Sequence, residues 1–460
     1  MQYILRSMSD TKRSFSQLTC LHFSCYFVVF ANKVESGGTG VNRKYLPRIA
    51  DEVLRQALSS SGAVCIQGPK WCGKTWTAMQ QAKSILMMQD PDRTANYMSM
   101  ADTKPSLLLE GTVPRLLDEW QMAPVLWDAV RFAVDQRGAM GQFILTGSTK
   151  PLDNDLMHSG TGRISRMRMR TMSLFESGES NGQVSLARLF AGEEPEGQSE
   201  TDIDKLAFAT ARGGWPAAMG VSDPVALQQA KNYLEAIVET DVSAVDGRAK
   251  NPARVRALMK SIARNIAGPA TVATILSDIA GDDESLSPNT IRAYLAALER
   301  LFVVEDQPAW SPALRSKTAL RTTAKRHFVD PSIAVAALQT SPAGLLQDFR
   351  TFGFLFESLC TRDLRIYSQS LGGDVFHYRD QTELEMDAIV ALHDGRWGAV
   401  EVKMGQGRVE EAASHLLRLK HRIDERKMNP PAFLMVLTGN GYAFSRKDGV
   451  LVVPATCLKN

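Results

Sequence analysis

The octapeptide Gly68-Pro69-Lys70-Trp71-Cys72-Gly73-Lys74-Thr75 constrains this chain more than any other stretch of it. It fits the pattern G-x-x-x-x-G-K-[ST] in full, between an apolar run, AVCIQ, and a run of helical character, WTAMQQAKSILMM. A strand, a glycine loop and a helix in that order make an anion cradle. The glycines let successive backbone N–H groups turn inward, and the helix start adds partial positive charge. Lys74 is then expected to reach the β- and γ-phosphates of a nucleoside triphosphate, and Thr75 to offer its hydroxyl to Mg2+. The stretch from Gly68 to Trp76 is the expected nucleotide-binding segment.

Such a loop needs an acidic partner. VPRLLDEWQ (Val113 to Gln121) reads as a short apolar strand ending in two carboxylates. Asp118 is expected to hold the Mg2+ shell and Glu119 to activate a water. A further strand, QFILTGS (Gln142 to Ser148), ends in polar residues. At the carboxyl end of a parallel strand Ser148 would sense the γ-phosphate or the attacking water, the plain alternative being a strand-to-turn transition. ANYMSM (Ala95 to Met100) reads as another strand and PVLWDAVRFAVDQ (Pro124 to Gln136) as a helix. Alternating strands and helices predict a parallel sheet covered on both faces. GRISRMRMR (Gly162 to Arg170) alternates arginine with apolar residues, as an edge or penultimate strand would. Arg163 is the first candidate for a charge-stabilising arginine there; a solvated basic strand face is the competing reading.

At 460 residues the chain exceeds what one hydrophobic core serves, so about two to four domains are expected. A net charge of +3 implies no obligate polyanion partner, and any nucleic-acid surface must be a local patch. The six cysteines (Cys20, Cys25, Cys65, Cys72, Cys360, Cys457) form no C-x-x-C pair and the seven histidines no metal-ligand spacing. Neither a zinc ribbon nor a disulfide framework follows, and a reducing cytoplasm is the simplest home. CLHFSCYFVVFA (Cys20 to Ala31) imitates a signal peptide but is too short to span a bilayer. Patterned sequence opens at Val41, and valine can be encoded by GTG, an alternative start codon. Residues 1–40 are therefore read as a non-native or disordered leader, an expectation that mass spectrometry of the natively expressed amino terminus would test.

The chain resembles a group of prokaryotic AAA-like ATPases in which a P-loop domain precedes a winged-helix segment and a C-terminal domain of uncharacterised function. The resemblance rests on YLPRIAD (Tyr45 to Asp51), GPKWCGKT, LLDEWQMAP, FILTGS, Gly162-Arg163, GGWP (Gly213 to Pro216), FVDPSIA (Phe328 to Ala334), GFLFESL (Gly353 to Leu359) and ELEMDAIV (Glu383 to Val390). Two departures stand out: Thr171-Met172 where the family has proline before Ser-Leu-x-Glu, and Trp71-Cys72 inside the P-loop. Neither alters a phosphate-contacting side chain.

Between Ser199 and Asp241 the pattern is helical and resembles the lid that follows an AAA core. TVATILSDIA, a polar loop and SPNTIRAYLAALERLFVVED (Ser287 to Asp306) then read as a helix-turn-helix running into a wing. Ser287 can cap, Pro288 suits the first helical position, and Ile291, Tyr294, Leu295 and Leu298 form one buried face. Arg292 and Arg300 could meet phosphates, with a helical adaptor as the alternative.

A second constellation, ELEMDAIVALHDGRWGAVEVK (Glu383 to Lys403), reads as a hairpin in which Glu401 and Lys403 share one strand face. A two-residue loop would throw Asp387 to the opposite face; a three-residue or bulged connection, which Gly395 permits, would align it with them. If they converge, Asp387 and Glu401 can hold a divalent cation while Lys403 stabilises the transition state. This arrangement resembles the PD-(D/E)xK nuclease fold, with Glu357 of FESL supplied by a preceding helix as a further metal ligand. An inert nucleic-acid or protein docking surface, or a surface ion pair, are the other readings.

The expected architecture is α/β: an AAA-like P-loop NTPase sheet over 41–190, a helical lid over 191–250, a winged-helix segment over 251–335, and a mixed α/β restriction-endonuclease-like domain over 336–460. The expected activity is Mg-ATP hydrolysis coupled to a nuclease-like half acting on DNA or other nucleic acid. The alternative is a nucleotide-controlled scaffold for a protein partner. No membrane partner is expected, and oligomerisation is left open.

Overall fold

The computed structural model describes residues 44–150, 158–279, 286–311, 323–424, 426 and 428–460. The expected leader, with Cys20 and Cys25, lies outside them. Five strands, β1 (Ala63–Gln67), β2 (Ser84–Met87), β3 (Arg115–Asp118), β4 (Phe143–Gly147) and β5 (Ile164–Arg168), form one sheet in the order β2-β3-β4-β1-β5. Every neighbouring pair is parallel. Both faces are buried. Leu54, Leu58, Ile66, Met167 and Met169 pack on one side and Trp120, Trp127, Val130, Phe143 and Leu145 on the other, so β1 and β4 are continuous apolar runs.

The structure departs from the local pattern in two places. The run after the P-loop is helical only over Lys74–Met79; its second half is β2, which pairs with β3. ANYMSM is not a strand but part of helix Thr94–Thr103. A short apolar stretch carries no decisive period of its own. Ile85-Leu86-Met87 takes the free edge beside β3, which leaves the Ala- and Met-containing segment to its helix propensity.

The second sheet is mixed, seven-stranded, and draws on distant parts of the chain. Two short strands, β6 (Val184–Ser185) and β7 (Gly197–Ser199), follow the first sheet; the rest are β8 (Gly373–Arg379), β9 (Glu385–Leu392), β10 (Trp397–Lys403), β11 (Phe433–Thr438), β12 (Gly441–Ser445) and β13 (Leu451–Pro454). Their order is β7-β12-β13-β11-β10-β9-β8, while β6 pairs separately with β14 (Leu458–Lys459). A boundary at residue 190 therefore falls between two strands that both pair with the C-terminal part of the chain. One apolar core runs from Leu174 through the helical middle to Leu458, and Tyr45–Asn460 forms one compact unit.

In the middle, helices Val272–Ile279 and Pro288–Arg300 stand where the helix-turn-helix was read. Ser287 caps the second by accepting from Thr290 N at 3.2 Å, and Ile291, Tyr294, Leu295 and Leu298 are buried as the spacing predicts. Beyond it, antiparallel bridges join Val304 to Phe328 and Gln307 to Lys325. Arg292 is exposed, but Arg300 is engaged internally, donating to Lys150 O at 2.9 and 3.2 Å.

Candidate functional site

The loop between β1 and helix Lys74–Met79 is held in a conformation that its glycines allow. Gly73 has φ +102°, and a Cβ on Gly68 would lie 2.1 Å from Met169 O. Lys74 is buried, its ammonium donating to Gly68 O at 3.0 Å and Pro69 O at 2.7 Å. The unusual pair Trp71-Cys72 divides its labour. Cys72 packs into the core beneath the sheet, while Trp71 faces outward against Tyr233, ring centroids 5.6 Å apart. Lys70 pairs with Asp241 at 2.7 Å, and Trp76 is half exposed.

The carboxyl end of β4 lies between the P-loop strand and the Asp118 strand. Asp118 is buried, and its Oδ1 accepts from Thr75 Oγ1 at 2.7 Å and Thr146 Oγ1 at 2.5 Å, its Oδ2 from Gln89 Nε2 at 2.6 Å. The hydroxyl and the carboxylate assigned to magnesium thus meet directly, and a hydroxyl beside a carboxylate is a hard-oxygen donor set that fits Mg2+. Glu119 follows at φ +56°, a left-handed conformation unusual for a non-glycine residue. Its Oε2 accepts from Ser148 Oγ at 3.2 Å and from Gln121 Nε2. Glu119, Ser148 and Gln121 therefore form one polar group beside Asp118.

Arg163 does not join this group. It precedes Ile164, which pairs with Ala63 at the amino end of β1, whereas the P-loop follows Gln67 at the carboxyl end. At about 3.3 Å per residue the strand separates the two by roughly 16 Å. Arg163 instead pairs with Asp135 at 2.7 Å. The arginines at the P-loop end are Arg168 and Arg170. Arg170 donates to Glu305 at 2.6 and 2.9 Å; Arg168 lies over the Phe302 ring and 3.9 Å from Glu305. Burial alone would raise the Glu305 carboxyl, but Arg170, Arg365 and Arg168 hold it well below the usual carboxylate range.

Sequence reasoning assigned no role to Arg48, although YLPRIAD contains it. Its guanidinium donates to Cys72 O at 2.8 Å, Arg170 O at 3.0 Å and Glu176 Oε1 at 3.1 Å, clamping the P-loop against the end of β5. Arg48→Ala should weaken Mg-nucleotide binding by about tenfold while helix content is kept, since each lost charge-assisted bond contributes about 1.5–3 kcal/mol. Calorimetric titration checks it.

In the second sheet, β9 and β10 pair antiparallel with Trp397 opposite Ala391 and Val400 opposite Ala388. The turn is the three-residue connection: Leu392 N donates to Arg396 O at 2.8 Å, Gly395 N to Leu392 O at 3.0 Å, and Gly395 takes φ +89°. Continuing the register sets Asp387 opposite Glu401, on the face of Lys403. Lys403 Nζ donates to Glu401 Oε2 at 2.6 Å and reaches Asp387 Oδ2 at 3.5 Å, an atom that also accepts from Val402 N at 2.8 Å. Glu357, on helix Phe349–Ser370, is tied in by Lys325, whose ammonium lies 2.8 Å from Glu357, 2.8 Å from Glu385 and 3.5 Å from Asp387. His415 Nδ1 approaches Glu401 at 3.9 Å. Glu385 was open to sequence reasoning, two residues before Asp387 on the same strand face, whereas no local pattern links Lys325 or His415 to the hairpin.

Burial and the Asp387 carboxylate push the Glu357 and Glu401 carboxyls up. Burial acts on Asp387 in the same sense, but Lys325 and Lys403 hold it below its ordinary value. Among the described residues no group of three His, Cys, Asp or Glu side chains is arranged to hold a metal ion. The expectation that Glu357, Asp387 and Glu401 ligate a metal is therefore corrected: two ammonium groups stand among these carboxylates, and the donor set does not fit a divalent cation as it stands.

No curated protein matches this chain. Residues 60–177 match a family model described as an AAA domain, residues 203–344 a domain of unknown function (DUF8612), and residues 352–458 another (DUF4143). Among solved structures, a Walker-type ATPase of Pyrococcus abyssi is similar at 10% identity and TM-score 0.40, covering 64% of this chain and 96% of its own. Among the described residues no helix is long and apolar enough to cross a membrane. The AAA-domain match spans the glycine loop, the Asp118 strand and Ser148, and supports a P-loop ATPase domain in this part of the chain.

Proposed function

We propose that the chain binds and hydrolyses Mg-ATP and passes its nucleotide state to a C-terminal half of nuclease-like fold associated with nucleic acid. The observation that carries the reading is the contact of Thr75 with Asp118, with Glu119 and Ser148 beside it. Bound Mg2+ would neutralise charge on the β- and γ-phosphates, held by Thr75 and Asp118. Lys74 turns from the carbonyls of Gly68 and Pro69 to the phosphates. Glu119, positioned by Ser148 and Gln121, takes a proton from the attacking water as the β–γ bond breaks.

A route to the rest of the molecule starts two residues beyond Ser148. Lys150 N donates to Arg300 O at 3.0 Å, and the Arg300 guanidinium returns the contact to Lys150 O. A shift of the Ser148 loop thereby acts on helix Pro288–Arg300. Glu119→Gln is expected to keep ATP binding and to lower turnover by about 100-fold or more, the usual contribution of a general base. Turnover equal to wild type in a phosphate-release assay would remove Glu119 from this role.

A second reading, a nucleotide-controlled scaffold that binds a partner without cleaving, draws support from the lysine-filled carboxylate cluster. Metal-dependent DNA nicking by wild type, Asp387→Ala and Lys403→Ala separates the two. Nicking lost in both variants favours cleavage; none in any of the three, or the same in all, favours the scaffold.

A further inference from the structure

We propose that Lys325 is the resident cation of the C-terminal carboxylate cluster, so that this site takes no divalent metal and each of its carboxylates is paired with an ammonium group of the chain itself. An ammonium has three N–H donors. Lys325 faces three carboxylates, those of Glu357, Glu385 and Asp387, brought together from a helix and from β9. Lys403 covers the remaining one, Glu401, and the second oxygen of Asp387. Buried carboxylates left to themselves would be strongly unfavourable, and pairing them by ammonium groups within hydrogen-bond reach removes the need for an added ion.

Lys325 is not a loose side chain that could yield to a metal. Its backbone N–H and C=O both pair with Gln307, and its side chain is almost wholly buried. The Gln307 side chain donates to Asp387 O and Phe376 O, each at 3.0 Å. Trp310 N donates to His377 O at 2.7 Å and His377 N to Pro308 O at 2.9 Å, so the segment carrying Gln307 adds to the β8 edge. The Lys325 side chain adds to this docking its contacts with Glu385 and Asp387 of β9. Its second role is therefore to pin the bridged segments 304–307 and 325–328 to the second sheet.

The test uses the full chain without nucleotide and Mn2+ as probe, followed by electron paramagnetic resonance and by thermal unfolding. Wild type is expected to bind no Mn2+ at this cluster and to unfold at the same temperature in EDTA and in millimolar Mn2+. Lys325→Met keeps the stem and removes the charge. It should unfold several degrees lower and recover part of that loss in Mn2+, and Lys325→Met with Asp387→Asn should recover none. One Mn2+ bound per wild-type chain and lost on Asp387→Asn overturns the proposal, as does a Lys325→Met protein that Mn2+ leaves unchanged. If Lys325→Met fails to fold, the wild-type titration with its Asp387→Asn control decides alone.

Discussion

Lys74→Ala should abolish measurable ATP turnover and weaken Mg-ATP binding by about 100-fold or more, because it removes the ammonium placed at the helix start to meet the β- and γ-phosphates. The fold should survive. Among the described residues Lys74 donates to Gly68 O and Pro69 O, both in the loop just before it, so the charge-assisted bonds lost, about 1.5–3 kcal/mol each, tie no two elements of the core together. Titration calorimetry of Mg-ATP into the variant, alongside circular dichroism, is the measurement. Heat of wild-type size from a well-folded variant would remove the P-loop reading and the hydrolytic mechanism with it.

The largest effect on stability is expected at Asp330, in FVDPSIA. This residue is fully buried, yet it accepts from Thr171 Oγ1 at 2.6 Å, Gly214 N at 2.9 Å, Ser332 N at 3.0 Å, Ser332 Oγ at 2.6 Å and Arg362 Nη1 at 3.0 Å. One carboxylate thus joins the end of the first sheet, the Gly213-Gly214 turn and the long helix Phe349–Ser370. It also accounts for Thr171 standing where proline was expected: the threonine supplies a hydroxyl that proline lacks. Asp330→Ala leaves a buried guanidinium short of a partner and several donors unmet, at a cost of about 3–5 kcal/mol. Urea unfolding at neutral pH should show a much lower midpoint, and a loss under about 1 kcal/mol would contradict the account.

The same residue sets a direction for pH. Burial opposes the Asp330 charge, but Arg362 and the hydrogen bonds from Ser332, Thr171 and Gly214 hold its carboxyl below the ordinary value. Because the folded value lies below the unfolded one, the stabilisation is present above the unfolded pKa, about 3.9, and is lost as pH falls through the folded value. Wild type should therefore lose stability on acidification below about pH 4 more steeply than Asp330→Asn.

Much of the candidate nucleotide site is legible in the sequence because its information is local. Gly68 to Thr75 are consecutive, and Asp118 closes a short apolar strand with Glu119 directly after it. The buried face of helix Pro288–Arg300 was legible for the same reason, its cap and its spacing lying within one short segment. Pattern alone does not separate Arg163 from Arg168 and Arg170, because a basic alternating strand looks alike from either end. Only the parallel pairing of β5 with β1 places Arg163 at the amino edge, away from the glycine loop. The hairpin's register stays open in the sequence, since Asp394-Gly395 serves a two-residue or a three-residue turn equally well.

The amino-acid order by itself determined the anion loop, its acidic strand and the pairing partners β9 and β10, because each depends on residues a few positions apart whose spacing matches one backbone geometry. The tertiary structure alone decided that Arg48 clamps the loop, that Arg300 faces Lys150, and that Lys325 stands among carboxylates as far away as Asp387 and Glu357. Charges separated by dozens of residues carry no period and no turn signal. They meet only because burial of one shared apolar core brings their strands and helices together, and once desolvated there each must find its partner.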